Sequence, residues 1–477
     1  MAYLHGIRVE EQATQVSSPV TTTTGVTVAF GTAPVNLAED PDNATNTLFF
    51  CETFAEAKAA LGYSEDYESY PLCQVMDSFF KAHAVGPVVF CNVLDPTEHI
   101  KSYSESIDVI SGQATGTTAG VILSTITVSG MTLDTDYTVE FNDDGYPVFT
   151  LADSSTAGPL TVTGSALDPT AVTYSDVIGA YDSDTGVETG IELVRQVYPK
   201  FSRFPGLLIA PGFSQIPAVA AALAAKCTDI NGRFRCECLI DIDTEAYTKY
   251  TDVEAAKDEL GVTSEHAILL WPMVQYSDKI MAYSSMLAAF MTKQDYENDN
   301  VPGLYPSNKK LGISAAVLSD GTEVYLDETQ ANELNAIGVV TIINWEGLKC
   351  WGNNTAAYPD NTDPKDRWIG CRRFFSWHAN SFIVNYNKKV DDPTNYRLIQ
   401  SLVDSENIRG NALVSEGKCA GMVLEYRKED NPIENIIDGT VVFRQRIAPW
   451  TPAEYILNML EFDVDMIETA LGGGDEE

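Results

Sequence analysis

The chain has 477 residues, which at ~150 residues per domain predicts about three domains. Hydrophobic residues make up 44% and charged residues 21%, a globular mixture that excludes a wholly disordered, collagen-like or coiled-coil chain. The 68 acidic residues against 30 Lys and Arg give a net charge of −38. A surface this acidic repels phosphate backbones and anionic lipid headgroups, so we expect no direct nucleic-acid binding and no membrane insertion.

Residues 1–24 predict an extended N-terminal arm. Within them, residues 5–11 read HGIRVEE and alternate as a short strand. The residues that share one face of this strand are His5, Ile7, Val9 and Glu11. Residues 17–25, SSPVTTTTG, are typical of a flexible linker.

Several features predict that the chain folds in a cytosol. The N-terminus has no basic start followed by an apolar run, so we expect no secretory signal. The longest apolar stretch, around residues 217–225, is too short to span a bilayer. Nine scattered cysteines, an odd number, suit reduced thiols better than a disulfide framework.

Residues 25–104 and 176–355 predict an α/β body. Apolar strands alternate there with helical stretches, which is the pattern of a buried sheet with helices on its faces. The predicted strands are 47–51, 87–94, 206–211, 234–243, 265–274, 312–318 and 338–345. The predicted helices are 53–62, 72–84, 216–227 and 280–295.

Residues 105–175 predict a small all-β domain inserted into this body. Between Lys101 and Arg195 the chain has 14 Asp and Glu and no Lys or Arg. Its apolar residues alternate with polar ones, and Asp144-Gly145 marks a tight hairpin turn. The sequence therefore predicts strands joined by turns, carrying negative charge that nearby basic residues do not compensate.

Residues 356–449 predict a C-terminal α+β domain. Two amphipathic stretches, 368–389 and 394–417, predict helices. Two alternating stretches, 420–428 and 439–449, predict strands. The whole chain is thus a multi-domain α/β and α+β protein with extended terminal arms.

Residues 450–477 predict a C-terminal arm and tail, with a flexible hinge around residues 449–452. Residues 460–468, LEFDVDMIE, alternate as a strand with Phe462, Val464 and Met466 on one face. A lone terminal strand must add to a sheet edge to satisfy its backbone groups. That edge belongs either to its own subunit or to a neighbour, and the pattern leaves both open.

No pattern in the sequence predicts a catalytic, cofactor or metal site. The chain lacks GxxxxGK[ST], GxSxG and HExxH, and its five histidines have no metal-ligand spacing. Cys236 and Cys238 share a strand face and predict core packing. Asp241 and Asp243, just beyond that strand, are typical of a strand-end acidic loop. We therefore expect that the chain is not an enzyme.

Arg372 and Arg373 form a basic cluster among aromatic residues in a predicted helix. In a chain this acidic they predict pairing with carboxylates, either inside the chain or on a neighbour, so both are candidates for facing a partner. Arg444 and Arg446 in the last strand carry the same interpretation.

The order of segments resembles the tail sheath proteins of contractile phages and phage-tail-like bacteriocins. The segments that carry this resemblance are 5–11, 25–36, 168–223 and 392–456. It covers nearly the whole chain and is weakest in the acidic insert. The alternatives are an α/β enzyme, hydrolase-like, with an accessory β domain, and a receptor-binding surface protein.

The resemblance implies a structural polymer without an active site or cofactor. Subunits would form six-fold rings or a helix around a tail tube, with baseplate and tail terminator proteins as further partners. The sheath would assemble in the host cytoplasm, become part of a virion or phage-tail-like particle, and contract to drive the tube through a bacterial envelope.

The resemblance also implies that terminal arms add strands to the sheet of a neighbouring C-terminal domain. The arm strands would be about 5–11 and 461–466, and the receiving strands about 420–426 and 440–447. The residues assigned to the receiving strands are Met422, Leu424, Val442, Arg444 and Arg446.

Overall fold

The largest element of the fold is a mixed sheet. The structure is a computed structural model that describes residues 20–21, 23–156 and 158–471. In this part of the chain, the sheet has eight strands. From edge to edge they are Leu348–Trp351, Val339–Asn344, Ala267–Leu270, Glu237–Asp241, Pro205–Ile209, Val26–Gly31, Val88–Asn92 and Leu48–Cys51. The six inner strands are parallel and both edge strands are antiparallel.

The inner strands are apolar because helices cover both faces of the sheet. Every residue of Val26–Gly31 and of Glu237–Asp241 is buried. Parallel strands need crossover connections, and helices supply them here. The helices of the body are Phe54–Leu61, Pro71–Met76, Tyr174–Ile178, Val197–Phe201, Pro217–Thr228, Val253–Leu260, Tyr283–Glu297 and Glu328–Ala336. All nine cysteines are unpaired and buried, including Cys236 and Cys238 as predicted.

Three sheets of three strands each lie outside the central sheet. Thr127–Val128, Pro159–Leu167 and Ile100–Asp108 form the first, and Gln113–Thr115, Pro147–Leu151 and Tyr137–Phe141 form the second. Both lie in the acidic stretch and enclose a hydrophobic cluster of their own, which includes Phe149 and Val162. The third sheet consists of Lys279–Met281, Met273–Tyr276 and Ala315–Val317, which belong to the body. The predicted turn at Asp144-Gly145 does connect two paired strands.

Some carboxylates of the acidic stretch have basic partners that its sequence does not predict. Glu188 lies 2.9 Å from Arg195, and Glu192 lies 2.6 Å from Lys226. Both basic residues come from the end of the stretch or beyond it, so folding brings to these carboxylates charges that are missing from their sequence neighbourhood.

The C-terminal unit consists of helices packed on a β-hairpin. Its helices are Pro364–Arg367, Ile369–Tyr386, Tyr396–Ser415 and Ile433–Ile437. Cys419–Tyr426 and Phe443–Pro449 pair antiparallel, which confirms both predicted strands. The second begins three residues later than the predicted 440, because the Asn431 side chain bonds both backbone groups of Val442.

The end of the predicted N-terminal linker is attached to the body. Val20–Thr21 pairs in parallel with Val85–Gly86. The backbone N–H of Thr23 donates to Asn300 Oδ1 at 2.8 Å. The prediction of a flexible linker over 17–25 is therefore wrong at Val20, Thr21 and Thr23, whose backbone groups make these contacts. The arm residues His5, Ile7, Val9 and Glu11 lie outside the described residues.

The close packing of helix Tyr396–Ser415 on the hairpin generates a stability prediction. A Cβ added at Gly410 would lie 2.6 Å from Met422 O, whereas one added at Gly421 would meet nothing within 4 Å. We expect Gly410→Ala to destabilise the hairpin by about 1–3 kcal/mol, since overpacking forces backbone shifts. Amide hydrogen exchange of Cys419–Tyr426 measures this effect, with Gly421→Ala as the matched control. Equal exchange in the two variants would contradict the packing argument.

Candidate assembly interface

The C-terminal hairpin has one apolar face and one charged face. Tyr426, Leu424 and Met422 lie opposite Phe443, Gln445 and Ile447, and residues directly opposite each other share a face. Met422 and Leu424 are buried on this face. The intervening residues Val423, Glu425, Arg444 and Arg446 make up the other face. The receiving residues named from the sequence are thus split between an inner and an outer face.

The arginines of the outer face are paired but remain open to solvent. Arg444 donates to both carboxylate oxygens of Asp430 at 2.6 and 2.7 Å, and Arg446 donates to Glu425 at 2.5 Å. A hydrogen bond from Arg444 holds the pKa of Asp430 below its usual value. The Arg444 and Arg446 side chains are 56% and 68% exposed. Because a guanidinium has five N–H donors, each can donate hydrogen bonds to a further carboxylate.

One edge of the hairpin is partly covered by a side chain and the other is open. Asn407 Oδ1 accepts from Leu424 N–H at 2.7 Å, and Asn407 Nδ2 donates to Leu424 O at 3.1 Å. This side chain occupies the edge of Cys419–Tyr426 as a neighbouring strand would. Among the described residues, Phe443–Pro449 has the other hairpin strand as its only strand neighbour. Its outer edge therefore presents backbone donors and acceptors to any added strand.

The base of the C-terminal arm is held against its own subunit. Trp450 Nε1–H donates to Gly417 O at 3.0 Å, and Tyr305 O–H donates to Trp450 O at 2.9 Å. Arg367 lies 3.2 Å from Glu454. The predicted hinge around residues 449–452 is wrong, because these bonds fix the chain up to Glu454. The sequence reasoning missed Trp450 and Glu454; the only signal was a tryptophan between two prolines.

Beyond this base the arm exposes a series of large apolar side chains, between 42% and 88% of each being accessible. They are Tyr455, Ile456, Leu457, Met459, Leu460, Phe462, Val464, Met466, Ile467 and Leu471. Burying one such side chain is worth about 1.5–3 kcal/mol. A continuous exposed apolar series of this kind marks an interaction site.

The arm is not a strand within its own subunit, so the strand at residues 461–466, which was predicted for pairing with a neighbour's sheet, stays a prediction. Residues 450–463 have no regular secondary structure, and Val464–Leu471 is a helix. A strand needs a neighbouring sheet edge to satisfy its backbone, whereas a helix satisfies its own. The same residues Phe462, Val464 and Met466 are exposed in this conformation.

Arg372 and Arg373 do not face outward, which corrects their assignment as candidates for contacting a tube or neighbour. Both are about 5% exposed. Arg373 forms a bidentate pair with Asp295 at 3.0 and 2.5 Å, and Arg372 lies 3.0 Å from Asp366. Burial raises the pKa of Asp295 and Arg373 opposes the rise. The Arg373–Asp295 pair ties the C-terminal helix Ile369–Tyr386 to helix Tyr283–Glu297 of the body.

The acidic residues at the strand end have separate structural roles. Asp241 is buried and accepts from the hydroxyls of Ser214 at 3.1 Å and Ser284 at 2.5 Å. Asp243 instead accepts from the backbone N–H of Glu245 in the following turn. Within the described ranges, no group of three or more His, Cys, Asp or Glu could hold a metal ion. The same residues include no helix with the length and apolarity to cross a membrane.

The contacts of Trp450 predict the mobility of the arm. Because the native cysteines are buried, an Ile456→Cys change places a selective spin label beside the arm base. Trp450→Phe keeps the ring and removes a hydrogen bond worth about 1 kcal/mol, so we expect a more mobile label. Electron paramagnetic resonance measures the mobility. Trp345→Phe, at an exposed tryptophan of the body, is the control, and equal mobility in both variants would contradict the anchor.

The environment of Glu454 predicts a pH dependence of the same anchor. Burial raises the pKa of Glu454 above its usual 4.5, and Arg367 only partly offsets this effect. A raised carboxyl pKa means that the anchored state favours the protonated form. Anchoring is then strongest below the usual pKa and weakens as pH rises through the raised value. We expect the label at residue 456 to be less mobile at about pH 4, below the usual pKa, than at about pH 8. Glu454→Gln should remove this pH dependence of the label's mobility. If the pH dependence persists in that variant, another group causes it.

Comparisons with known proteins identify relatives along the whole chain. The chain is 25% identical over 508 aligned positions to the tail sheath protein of Burkholderia phage BcepMu, covering 99% of each chain. It is 24% identical over 294 positions to the tail sheath protein of Escherichia phage P2, covering 60% of this chain and 69% of that protein. No family model matches the chain.

Solved structures share the fold. A chain of the anti-feeding prophage baseplate superimposes with a TM-score of 0.59 at 16% identity, over 97% of this chain and 100% of that one. A chain of the sheath complex of the extracellular contractile injection system PVC, in the contracted state, gives 0.57 at 13% identity, over 98% and 99%. Relatives that span the chain and a shared fold therefore confirm its resemblance to the contractile tail sheath proteins.

Proposed function

We propose that this chain is the subunit of a contractile sheath, a homopolymer around a phage-type tail tube whose contraction drives the tube through a bacterial envelope. The full-length similarity to tail sheath proteins supports this function over the hydrolase-like enzyme and the receptor-binding surface protein. The observation that carries it is the exposed apolar arm beside an open sheet edge. A subunit with both features is complete only in contact with further copies.

The other expectations drawn from the sheath resemblance belong to this proposal. The copies form six-fold rings or a helix, and a tail tube protein, a baseplate and a tail terminator protein are the further partners. The polymer assembles in a host cytoplasm and becomes part of a virion or a phage-tail-like particle. The function is structural, and no catalytic step contributes to it.

The division into domains is also part of the proposal. The body comprises 25–104 and 176–355, the insert 105–175 and the C-terminal domain 356–449, between arms at 1–24 and 450–477. Separate hydrophobic clusters support three units: a large one in the body, one in the insert, and one around Phe374 and Met422 in the C-terminal unit. The insert's cluster includes Tyr103 of strand Ile100–Asp108, which favours a start of the insert at about residue 100 rather than 105.

The partner of the arm is the open edge of a second copy's hairpin. In an extended arm, Glu461, Asp463 and Asp465 share one face, while Phe462, Val464 and Met466 share the other. The hairpin also has a charged and an apolar face. Pairing beside Phe443–Pro449 brings the three carboxylates to the face of Arg444 and Arg446, and the apolar residues to the opposite face.

The length of the arm restricts the copy that it reaches. Glu461 lies seven positions after the anchored Glu454, and at ~3.3 Å per residue this segment spans about 23 Å. This distance allows an adjacent subunit and excludes distant ones. The N-terminal arm, with His5, Ile7, Val9 and Glu11, is proposed as a second donated strand.

Negative-stain microscopy tests the role of the arm. We expect the full chain to form hollow cylinders, and a variant that lacks residues 455–477 to remain a folded monomer. The deletion removes only residues without buried side chains in the described part, so the body keeps its core. Circular dichroism and the sedimentation coefficient verify the fold. Cylinders of normal yield without the arm would overturn the proposal.

A charge swap tests the pairing between arm and edge. Arg444→Glu with Arg446→Glu should reduce cylinder yield, because carboxylates would then face carboxylates across the added strand. Adding Glu461→Lys and Asp465→Lys should restore it. Asp463 stays unchanged because its side chain also accepts from the backbone N–H groups of Asp465 and Met466 at the start of the helix Val464–Leu471. Reduced yield without restoration would contradict this strand pairing.

A further inference from the structure

The end of the C-terminal arm has a sequence that fits two secondary structures. Residues 460–466 alternate apolar and polar side chains with the period of a strand. Val464, Ile467 and Leu471 recur with the spacing of one helix face. The two patterns overlap at residues 464–466. These residues can belong to the strand or to the helix, but not to both at once.

The helix is defined by a side-chain cap at its start. Asp463 Oδ1 accepts from the backbone N–H of Asp465 at 2.9 Å and of Met466 at 3.2 Å. These bonds satisfy two of the N–H groups that have no partner at a helix start, and the negative charge suits the helix dipole. Thr469 Oγ1 also donates to Asp465 O at 2.8 Å.

The helix is weakly stabilised. It has eight residues, and every one of them is exposed. Isolated helices of this length are marginal in water, and most helical stability in proteins comes from packing. A small opposing free energy is therefore sufficient to unwind it, and a sheet edge that offers several backbone hydrogen bonds supplies that free energy.

We propose that Asp463–Leu471 is a conformational switch, helical in the free subunit and converted over residues 461–466 to a strand on the open hairpin edge of a second copy. This inference rests on the proposed sheath function. The helix keeps the arm's backbone bonded to itself while the subunit is free. It thereby lowers the concentration of a strand that would pair with any exposed edge. Conversion also lengthens the segment, from 1.5 Å to about 3.3 Å per residue.

The cap residue tests the switch. Asp463→Ala removes the cap and the charge, whereas Asp463→Asn removes the charge and keeps a capping side chain. We expect the alanine variant to have less helix in the free subunit and to assemble faster than the asparagine variant, by up to about fivefold. Cα chemical shifts of the arm measure the helix, and light scattering measures the assembly rate.

A second pair of variants acts beyond the strand. Residue 469 lies inside the helix and outside residues 461–466, so Thr469→Pro blocks the helix without removing a strand N–H. We expect Thr469→Pro to accelerate assembly. Thr469→Ala raises helix propensity and should slow assembly. If helix content changes in these variants while assembly rates stay equal, the switch is wrong.

The conformation in the assembled cylinder distinguishes the two proposals. A side-chain-resolution reconstruction should contain residues 461–466 as a strand beside Phe443–Pro449 of another copy. If cylinders form but the segment remains helical, the switch fails and the sheath function stands. If the unaltered chain forms no cylinders under any condition that keeps it folded, both proposals fail.

Discussion

An open sheet edge is the constraint on which the interpretation of this molecule depends. Backbone N–H and C=O groups must find partners, and a two-stranded hairpin leaves two rows without them. The Asn407 side chain covers part of one row. The row on Phe443–Pro449 has no neighbouring strand among the described residues. The same unit carries an arm whose apolar side chains are exposed in the described part of the subunit. Under the proposed function, a single interaction between copies removes both deficits.

The remaining structure supports that interaction by making its surroundings rigid. The buried Arg373–Asp295 pair joins the helix Ile369–Tyr386 to the body. Removing either partner would leave the other as an uncompensated buried charge. Trp450 and Glu454 hold the arm base against Gly417 and Arg367. Under the proposed function, relative motion of neighbouring copies is then taken up by residues 455–460, between the anchored base and the paired segment. Strand pairing is retained while the bodies move.

The fold was largely accessible from local patterns. Apolar runs at 206–211 and 234–243 predicted buried strands, which the structure has at Pro205–Ile209 and Glu237–Asp241. The alternating stretches 420–428 and 439–449 predicted both strands of the C-terminal hairpin within four residues. The strand Val26–Gly31 was not predicted from its pattern. The candidate interface was accessible only in part. The open edge and the arm were predicted, but the anchors Trp450 and Glu454 were not, because their partners lie 33 and 87 residues away in sequence.

By itself, the sequence determined the properties that depend on neighbours along the chain: strand and helix periods, the acidic balance and the resemblance to tail sheath proteins. The tertiary structure decided which charges meet. Arg372 and Arg373 resembled a surface cluster in sequence, but folding buries them against Asp366 and Asp295. It also decided the conformation of the arm end, where strand and helix patterns coincide. Within the described part of the chain that segment pairs with no sheet edge, and the helix, which satisfies its own backbone, is the conformation observed.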